Sequence, residues 1–202
     1  MPDQALPFSQ ASENNKLPIL EIFKQTLGGY ESLLEIGGGT GQHAVFFAEQ
    51  FPQLHWQSSD IASNVASLNL RIEQASLPNL PSAMAIDAND STWSCGEYDA
   101  VFTANSLHIM SAQSVENLFR KVAAHIAAQG VLLVYGPFKY NGNFTTQSNA
   151  RFDLWLKERD PLSGIRDFEW VNELAQSAGL SLQQDHGMPA NNQLLVWRKT
   201  SA

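Results

Sequence analysis

Apolar positions along the chain recur at two spacings, helical and strand-like, and their alternation predicts the elements. In "KLPILEIFKQTL" Leu17, Leu20, Phe23 and Leu27 fall on one helical face. Ser12 and Asn15 are its N-cap candidates, Pro18 fits a first turn and Gly28-Gly29 ends it. "SLLEI" is a short apolar run, the habit of a strand buried on two sides in a parallel sheet. Ala44, Val45, Phe47, Ala48 and Phe51 then return to helical spacing, which stops at Pro52. "LHWQSS" and "SAMAI" are the next strands, separated by a helix over 62–75 that turns Val65, Leu68 and Ile72 inward. "YDAVFTA" is a fourth strand. Val115, Leu118, Phe119, Val122 and Ile126 form the stripe of a helix over 112–128, with Gly130 as its stop. "VLLVYG" is a fifth strand, followed by a polar stretch, "KYNGNFTTQSN". Phe152, Trp155 and Leu156 mark a helix ended by Asp160-Pro161, and Asp167 caps another that ends at Gly179. "LSLQQD" and "QLLVW" are the last strands.

Strands that alternate with helices define a doubly wound, Rossmann-like α/β sheet with helices on its two faces. The last two strands break the rhythm. Their connection, "HGMPANN", has seven residues, and a parallel crossover needs about a dozen or more. The last of seven strands is therefore expected to run antiparallel. The 202 residues suit one domain at roughly 100–200 residues each, and no Pro-, Gly- or Ser-rich linker divides them. The expectation is a single domain over 1–202, with the N-terminal helix at 14–28 as a cap.

Charge and composition narrow the partners. Twelve Lys and Arg against twenty Asp and Glu give a net charge of −8. No basic run is longer than Arg198-Lys199, so nucleic acid is not an expected partner. Cys95 is the single cysteine, which excludes an internal disulfide and a thiolate cluster. No apolar run approaches the ~20 residues of a bilayer span. The start, "MPDQALPFSQ", lacks the pattern of a secretory signal, so a cytoplasmic protein is expected. His43, His55 and His125 show no ligand spacing with acids, and no metal is expected.

The chemistry concentrates in "LLEIGGGTGQHA", where four of the five positions 37–41 are glycine. A strand, a Gly-rich turn and a helix N-terminus make a nucleotide seat, because the backbone can approach a ligand closely. Gly37 and Gly39 match the first two positions of the dinucleotide fingerprint. The sixth position is Gln42, and Gly41 stands at the fifth. With Glu35 ahead, the pattern is E-x-G-x-G-x-G. A tight βα loop without a ligand would also use such glycines. Two acids argue for the ligand: Asp60 closes the second strand, where it could accept from ribose hydroxyls, and Asp87-Ala88 closes the third, where they could read an adenine edge.

With these residues the chain resembles the class I S-adenosylmethionine-dependent methyltransferases. Glu35, Gly37, Gly39 and Gly41 match their first motif, Asp60 the ribose-binding acid and Asp87-Ala88 the adenine-binding pair. "YDAVFTANSLHIM", with Asn105, looks like their fourth-strand motif, and the antiparallel last strand is their topological mark. More narrowly, the chain is similar over nearly its whole length to the methyltransferase-like protein 26 family. That similarity runs from "SENNKLPIL" through "GPFKYNGNFTTQSNARFDLWLKERDPLSGIRD" to "MPANN". Asn14 stands where that family has an arginine. The resemblance implies S-adenosylmethionine as cofactor and leaves the substrate open.

The acceptor is expected near the loops after strands four, five and six, outside the carboxyl ends of the sheet. Those loops carry Asn105, Ser106 and His108, then Tyr140, Asn141 and Asn143, then His186, Asn191 and Asn192. His108 is the candidate general base, since an imidazole titrates near neutral pH. A small molecule is the expected acceptor. A non-catalytic cofactor-binding or protein-interaction domain is the alternative, and a nicotinamide-dependent oxidoreductase a more distant one.

Overall fold

In the computed structural model, which describes residues 6–200, the chain runs α1 (Gln10–Thr26), β1 (Ser32–Ile36), α2 (Gln42–Gln50), β2 (His55–Asp60), α3 (Ala62–Ala75) and β3 (Met84–Ala85). It continues through β4 (Tyr98–Ala104), α4 (Ala112–Val122), β5 (Ile126–Gly136), β6 (Phe138–Tyr140), β7 (Asn143–Phe144) and α5 (Gln147–Arg159). Last come β8 (Arg166–Asp167), α6 (Phe168–Ser177), β9 (Leu180–Met188) and β10 (Asn192–Lys199). The opening residues of the stretch read as lacking a leader lie outside the described residues. Seven strands form one sheet in the order β3-β2-β1-β4-β5-β10-β9. Pairing is parallel for β1 with β2, β2 with β3 and β4 with β5, while β10 runs antiparallel to both β5 and β9. The short β7-β6-β8 sheet stands apart from it. By compactness the chain divides into two units, Met1–Asp87 and Ala88–Ala202.

In the first unit, aromatic rings carry the core. Phe23 meets Phe47 at 4.7 Å between centroids, and Phe47 stacks on Trp56 at 5.4 Å. All three are fully buried, and burying such a ring contributes roughly 1.5–3 kcal/mol. Helix α1 begins earlier than its apolar spacing indicates. Ser9, not Ser12 or Asn15, is the N-cap, and its side chain accepts from the Ser12 N–H. Pro18 consequently lies inside the helix, and Leu17 is exposed while Ile19 is buried. Asn15 serves a different purpose: its Oδ1 lies 2.6 Å from Nε2 of the buried His43 on α2. The third strand shrinks to two paired residues, Met84 and Ala85, opposite Ser59 and Asp60.

In the second unit, the helix expected over 112–128 ends at Val122, and Ile126 opens the long strand β5. Gly130 is therefore no helix stop. It sits where the β4–β5 register shifts, and a Cβ there would come within 2.6 Å of the Asp99 carbonyl. A glycine inside a strand often marks such a bulge. The polar stretch after β5 is a hairpin, β6–β7, turned at Asn141-Gly142 with φ of 49° and 74°. Positive φ at both central residues is what a two-residue hairpin turn requires, and Asn-Gly is its sequence signal. On α5 Leu156 is buried, but Trp155 is exposed and Asp153 faces inward. Asp153 accepts the Ile165 N–H at 2.7 Å and pairs with Lys157. Asp167 occupies the N-cap position of α6 without capping it. Its carboxylate instead takes the Gly142 N–H and the Lys139 ammonium. The β9–β10 connection contracts to Pro189–Asn191, with Ala190 and Asn191 both at φ 58°.

Candidate functional site

The glycine turn of the first unit is held from below by the parallel pairing of β1 with β2. Glu35 is buried opposite Ser58 in that register, and its Oε2 accepts from Ser58 Oγ at 2.7 Å and from Trp56 Nε1 at 3.1 Å. Burial pushes its carboxyl up to about 7, against the pull of those two hydrogen bonds. The aromatic core thus grips Glu35 directly through Trp56.

Above this, Gly37, Gly39 and Gly41 all have positive φ, at 75°, 55° and 75°. That conformation suits glycine and strains other residues. Each glycine nonetheless meets a different limit. A Cβ on Gly38 would stand 2.3 Å from Ser58 Oγ, and one on Gly41 would stand 2.9 Å from Leu68. A Cβ on Gly39 would meet nothing nearer than the Gly37 carbonyl at 4.0 Å. Open space therefore begins at Gly39.

Asp60, at the end of β2, turns its carboxylate into this loop. Oδ2 accepts the Gly39 N–H at 2.7 Å; Oδ1 accepts from Ile61 N at 2.8 Å and Asn64 Nδ2 at 2.9 Å. A carboxylate has about four acceptor positions, so Asp60 keeps room for about one further donor. Asp87 follows Ile86, whose N–H reaches the Asp60 carbonyl at 2.9 Å, so the acid after β3 comes close to the acid after β2. A buried carboxylate beside open backbone suits a ligand that brings hydroxyls and positive charge. Several of the loop's ties were not evident from sequence. Arg71 on α3 donates to the Thr40 carbonyl at 2.6 Å and also to Pro7, and Gln42 accepts the Ser9 N–H at 2.5 Å. These pairs lie far apart in sequence, and no local pattern signals them.

In the second unit, Ala88 is buried and its carbonyl takes the Lys121 ammonium at 2.6 Å. Asn105 ends β4 in the left-handed region, with φ 57°, and donates its N–H to the Tyr135 carbonyl. Ser106 accepts from Thr103 at 2.8 Å. His108 lies in the turn that follows, buried, edge-on to Phe152 at 5.3 Å, with Nδ1 3.7 Å from where a Cβ on Gly136 would stand. Burial, aided by Arg166, pushes its imidazole down to about 4, away from the neutral range expected of an exposed histidine.

The other candidates divide between two places. Tyr140 stacks on Phe168 and donates to Asp185 at 2.7 Å, and burial with that bond holds its phenol protonated well above the usual range. The Asn141 N–H goes to Glu169, and Asn143 donates to the Asn141 carbonyl. Asn191 instead meets α5: its carbonyl accepts from the buried Asn149, a residue that no local pattern marks. Asn192 is spent on the carbonyls of its own turn, and His186 lies against Gln184. Among the described residues, no group of three His, Cys, Asp or Glu side chains could hold a metal ion. No described helix is long and apolar enough to cross a membrane.

The buried titratable groups tie stability to pH with opposite signs. His43, pushed down to about 4 by burial, binds its proton more weakly folded than unfolded. Its contribution is complete above about 6.5 and is lost as pH falls toward 4. Glu35 binds its proton more tightly folded, so its contribution is present below about 4.5 and lost as pH rises to about 7. Urea denaturation at stepped pH is expected to show His43→Gln lacking a rise of about 1.4 kcal/mol per pH unit between 4 and 6.5. Glu35→Gln should lack a fall of similar slope between 4.5 and 7. Slopes parallel to wild type in both variants would contradict these assignments.

The sheet order and the antiparallel β10 define the Rossmann-like fold of the class I methyltransferases. The chain belongs to the family described as "Protein of unknown function (DUF938)", whose model matches residues 6–199. Its fold is similar to that of an O-methyltransferase family protein from Burkholderia thailandensis, with a TM-score of 0.82 at 17% identity. That match covers 95% of this chain and 58% of the other. A putative O-methyltransferase from Nostoc punctiforme gives 0.80 at 21% identity, covering 93% and 56%. Human N-acetylserotonin methyltransferase, in complex with SAM, gives 0.76 at 18% identity, covering 95% and 53%. The chain thus spans under three fifths of the length of these proteins.

Proposed function

We propose that the chain is a cytoplasmic S-adenosylmethionine-dependent methyltransferase acting on a small molecule, with all its residues serving one catalytic domain. The observation that carries this reading is the Asp60 carboxylate turned into a glycine loop that is open at Gly39. In this reading Asp60 accepts one ribose hydroxyl and fixes the loop through the Gly39 N–H. Glu35 stiffens the loop from beneath and faces the methionine end. Asp87 and Ala88 read the adenine, and Asn105 lines the methyl end. The cofactor brings an activated methyl group on a sulfonium; the chain's own task is to align the acceptor and exclude water. The similarity to the methyltransferase-like protein 26 family supports this reading. So does a fold shared with a protein named for methylating N-acetylserotonin.

Thermal shift and calorimetry with S-adenosylmethionine, its demethylated product and NAD test it. The first two are expected to stabilise the protein, by about 2.7 kcal/mol at 100 times the dissociation constant, and NAD to leave it unchanged. Asp60→Ala should weaken binding of S-adenosylmethionine by about 1.5–3 kcal/mol, about 10- to 150-fold in affinity. Wild-type affinity in a folded Asp60→Ala variant would remove that carboxylate from the site. Stabilisation by NAD alone would overturn the reading.

A further inference from the structure

Arg166 stands where the chain leaves the loop after α5, and its guanidinium is spent almost wholly on backbone. Nε donates to the Leu107 carbonyl at 3.2 Å, and one terminal nitrogen reaches the Met110 carbonyl and, at 2.9 Å, that of Leu162. Between Leu107 and Met110, the His108 carbonyl accepts the Gly164 N–H at 2.8 Å. Three carbonyls of one short turn are therefore tied to the segment 164–166. That segment is itself anchored to α5 where Asp153 accepts the Ile165 N–H. A planar fork of fixed donors can join two carbonyls in a way a flexible ammonium cannot.

We propose that Arg166 is a positioning residue: by tying the carbonyls on either side of His108 to the segment after α5, it sets where the His108 ring stands between Gly136 and Phe152. The inference rests on the reading of His108 as the base that serves the acceptor. Arg166 also places a positive charge beside the ring and so opposes its protonation. Arg151 and Glu158 on α5 are exposed, and Asp153 favours the charge on Arg166; the remaining charged groups there have contacts of their own. Asp153 pairs with Lys157, Arg159 lies over Trp155, and Asp160 accepts the Leu162 N–H.

Nuclear magnetic resonance of the full chain tests this through the His108 Cε1 proton, with buried His43 as reference. In the wild type that signal should carry the ring-current shift of Phe152 and stay at its neutral position from pH 8 to pH 5. In Arg166→Gln the ring-current shift should shrink and proton affinity should rise at least tenfold, with His43 unmoved. Arg166→Lys keeps the charge without the fork, so its ring-current shift should shrink while its affinity rises less. Unchanged shift and midpoint in the folded Gln variant, or an unchanged ring-current shift in the Lys variant should Gln not fold, overturn the proposal. No turnover enters the measurement. A chain that transfers no methyl group therefore defeats the proposed function and leaves the positioning role to stand or fall on the spectra.

Discussion

Gly39→Val is expected to abolish S-adenosylmethionine binding while the first unit stays folded. The backbone there has φ 55°, and a Cβ would meet no atom nearer than 4.0 Å. The folded state therefore loses the strain of a left-handed side chain, roughly 1–2 kcal/mol for an ordinary residue and more for β-branched valine, against a typical stability of about 5–15 kcal/mol. The space that makes the substitution tolerable for folding is the space that the proposed function gives to the ligand. Two methyl groups would occupy it, and the strain would also disturb the Gly39 N–H that Asp60 holds. Gly38 makes the contrast. Its Cβ would be driven within 2.3 Å of Ser58 Oγ, which is bonded to Glu35, so Gly38→Ala should cost stability first. Circular dichroism and calorimetry on the two variants separate these effects. Normal binding heat from Gly39→Val would refute the account of the loop.

The glycine turn was legible because its cause is local. Strand, turn and helix are consecutive, and β1, β4 and α3 have the bounds that their apolar spacing indicates. The antiparallel β10 was legible for a similar reason, since connection length alone forbids a parallel crossover. Where the reading failed, a distant contact outweighed a local pattern. Ile126 continues the α4 stripe in register, yet it pairs with Tyr98 across β4 and β5, and the helix gives way to the sheet. Trp155 has helical spacing with Phe152, but an exposed ring can stack on Phe152 and lie under Arg159 at the surface. Asp167 has the residue type of a cap and is drawn instead to Lys139 and the hairpin. At "KYNGNF" the asparagines suit a turn as well as polar recognition, and Asn141-Gly142 proves to be the turn of the β6–β7 hairpin. The acceptor side was least legible. Its candidates sit on loops whose polar side chains suit turns as well as recognition, and only tertiary contacts sort them. Asn149 joins Asn191, whereas Asn192 closes on its own turn.

His108→Asn is expected to lower turnover by about 10²–10⁴-fold, with cofactor affinity unchanged. Burial decides where in that range the effect falls. An imidazole pushed down to about 4 is neutral throughout the physiological range, so it is always ready to accept a proton. It is also a weak base, and acid–base catalysis is most effective when the pKa lies near the working pH. The loss should therefore lie nearer 10² than 10⁴. A weak base suffices if the acceptor becomes strongly acidic as its bond to the methyl group forms, because proton transfer to imidazole is then downhill. The rate should be flat on the acid side from pH 8 to about 5 in the wild type, with no break near 6.5. A break near 6.5 would mean that the base is exposed and is not His108. Asparagine keeps a polar group against Phe152 and Gly136, so a variant that melts lower yet keeps its turnover per folded molecule would assign the ring to packing. The acceptor for this assay comes from a metabolite screen with isotopically labelled S-adenosylmethionine. Label reaching protein and no small-molecule pool would replace the small-molecule acceptor with a polypeptide one. The same His108→Asn comparison would then be made on that substrate.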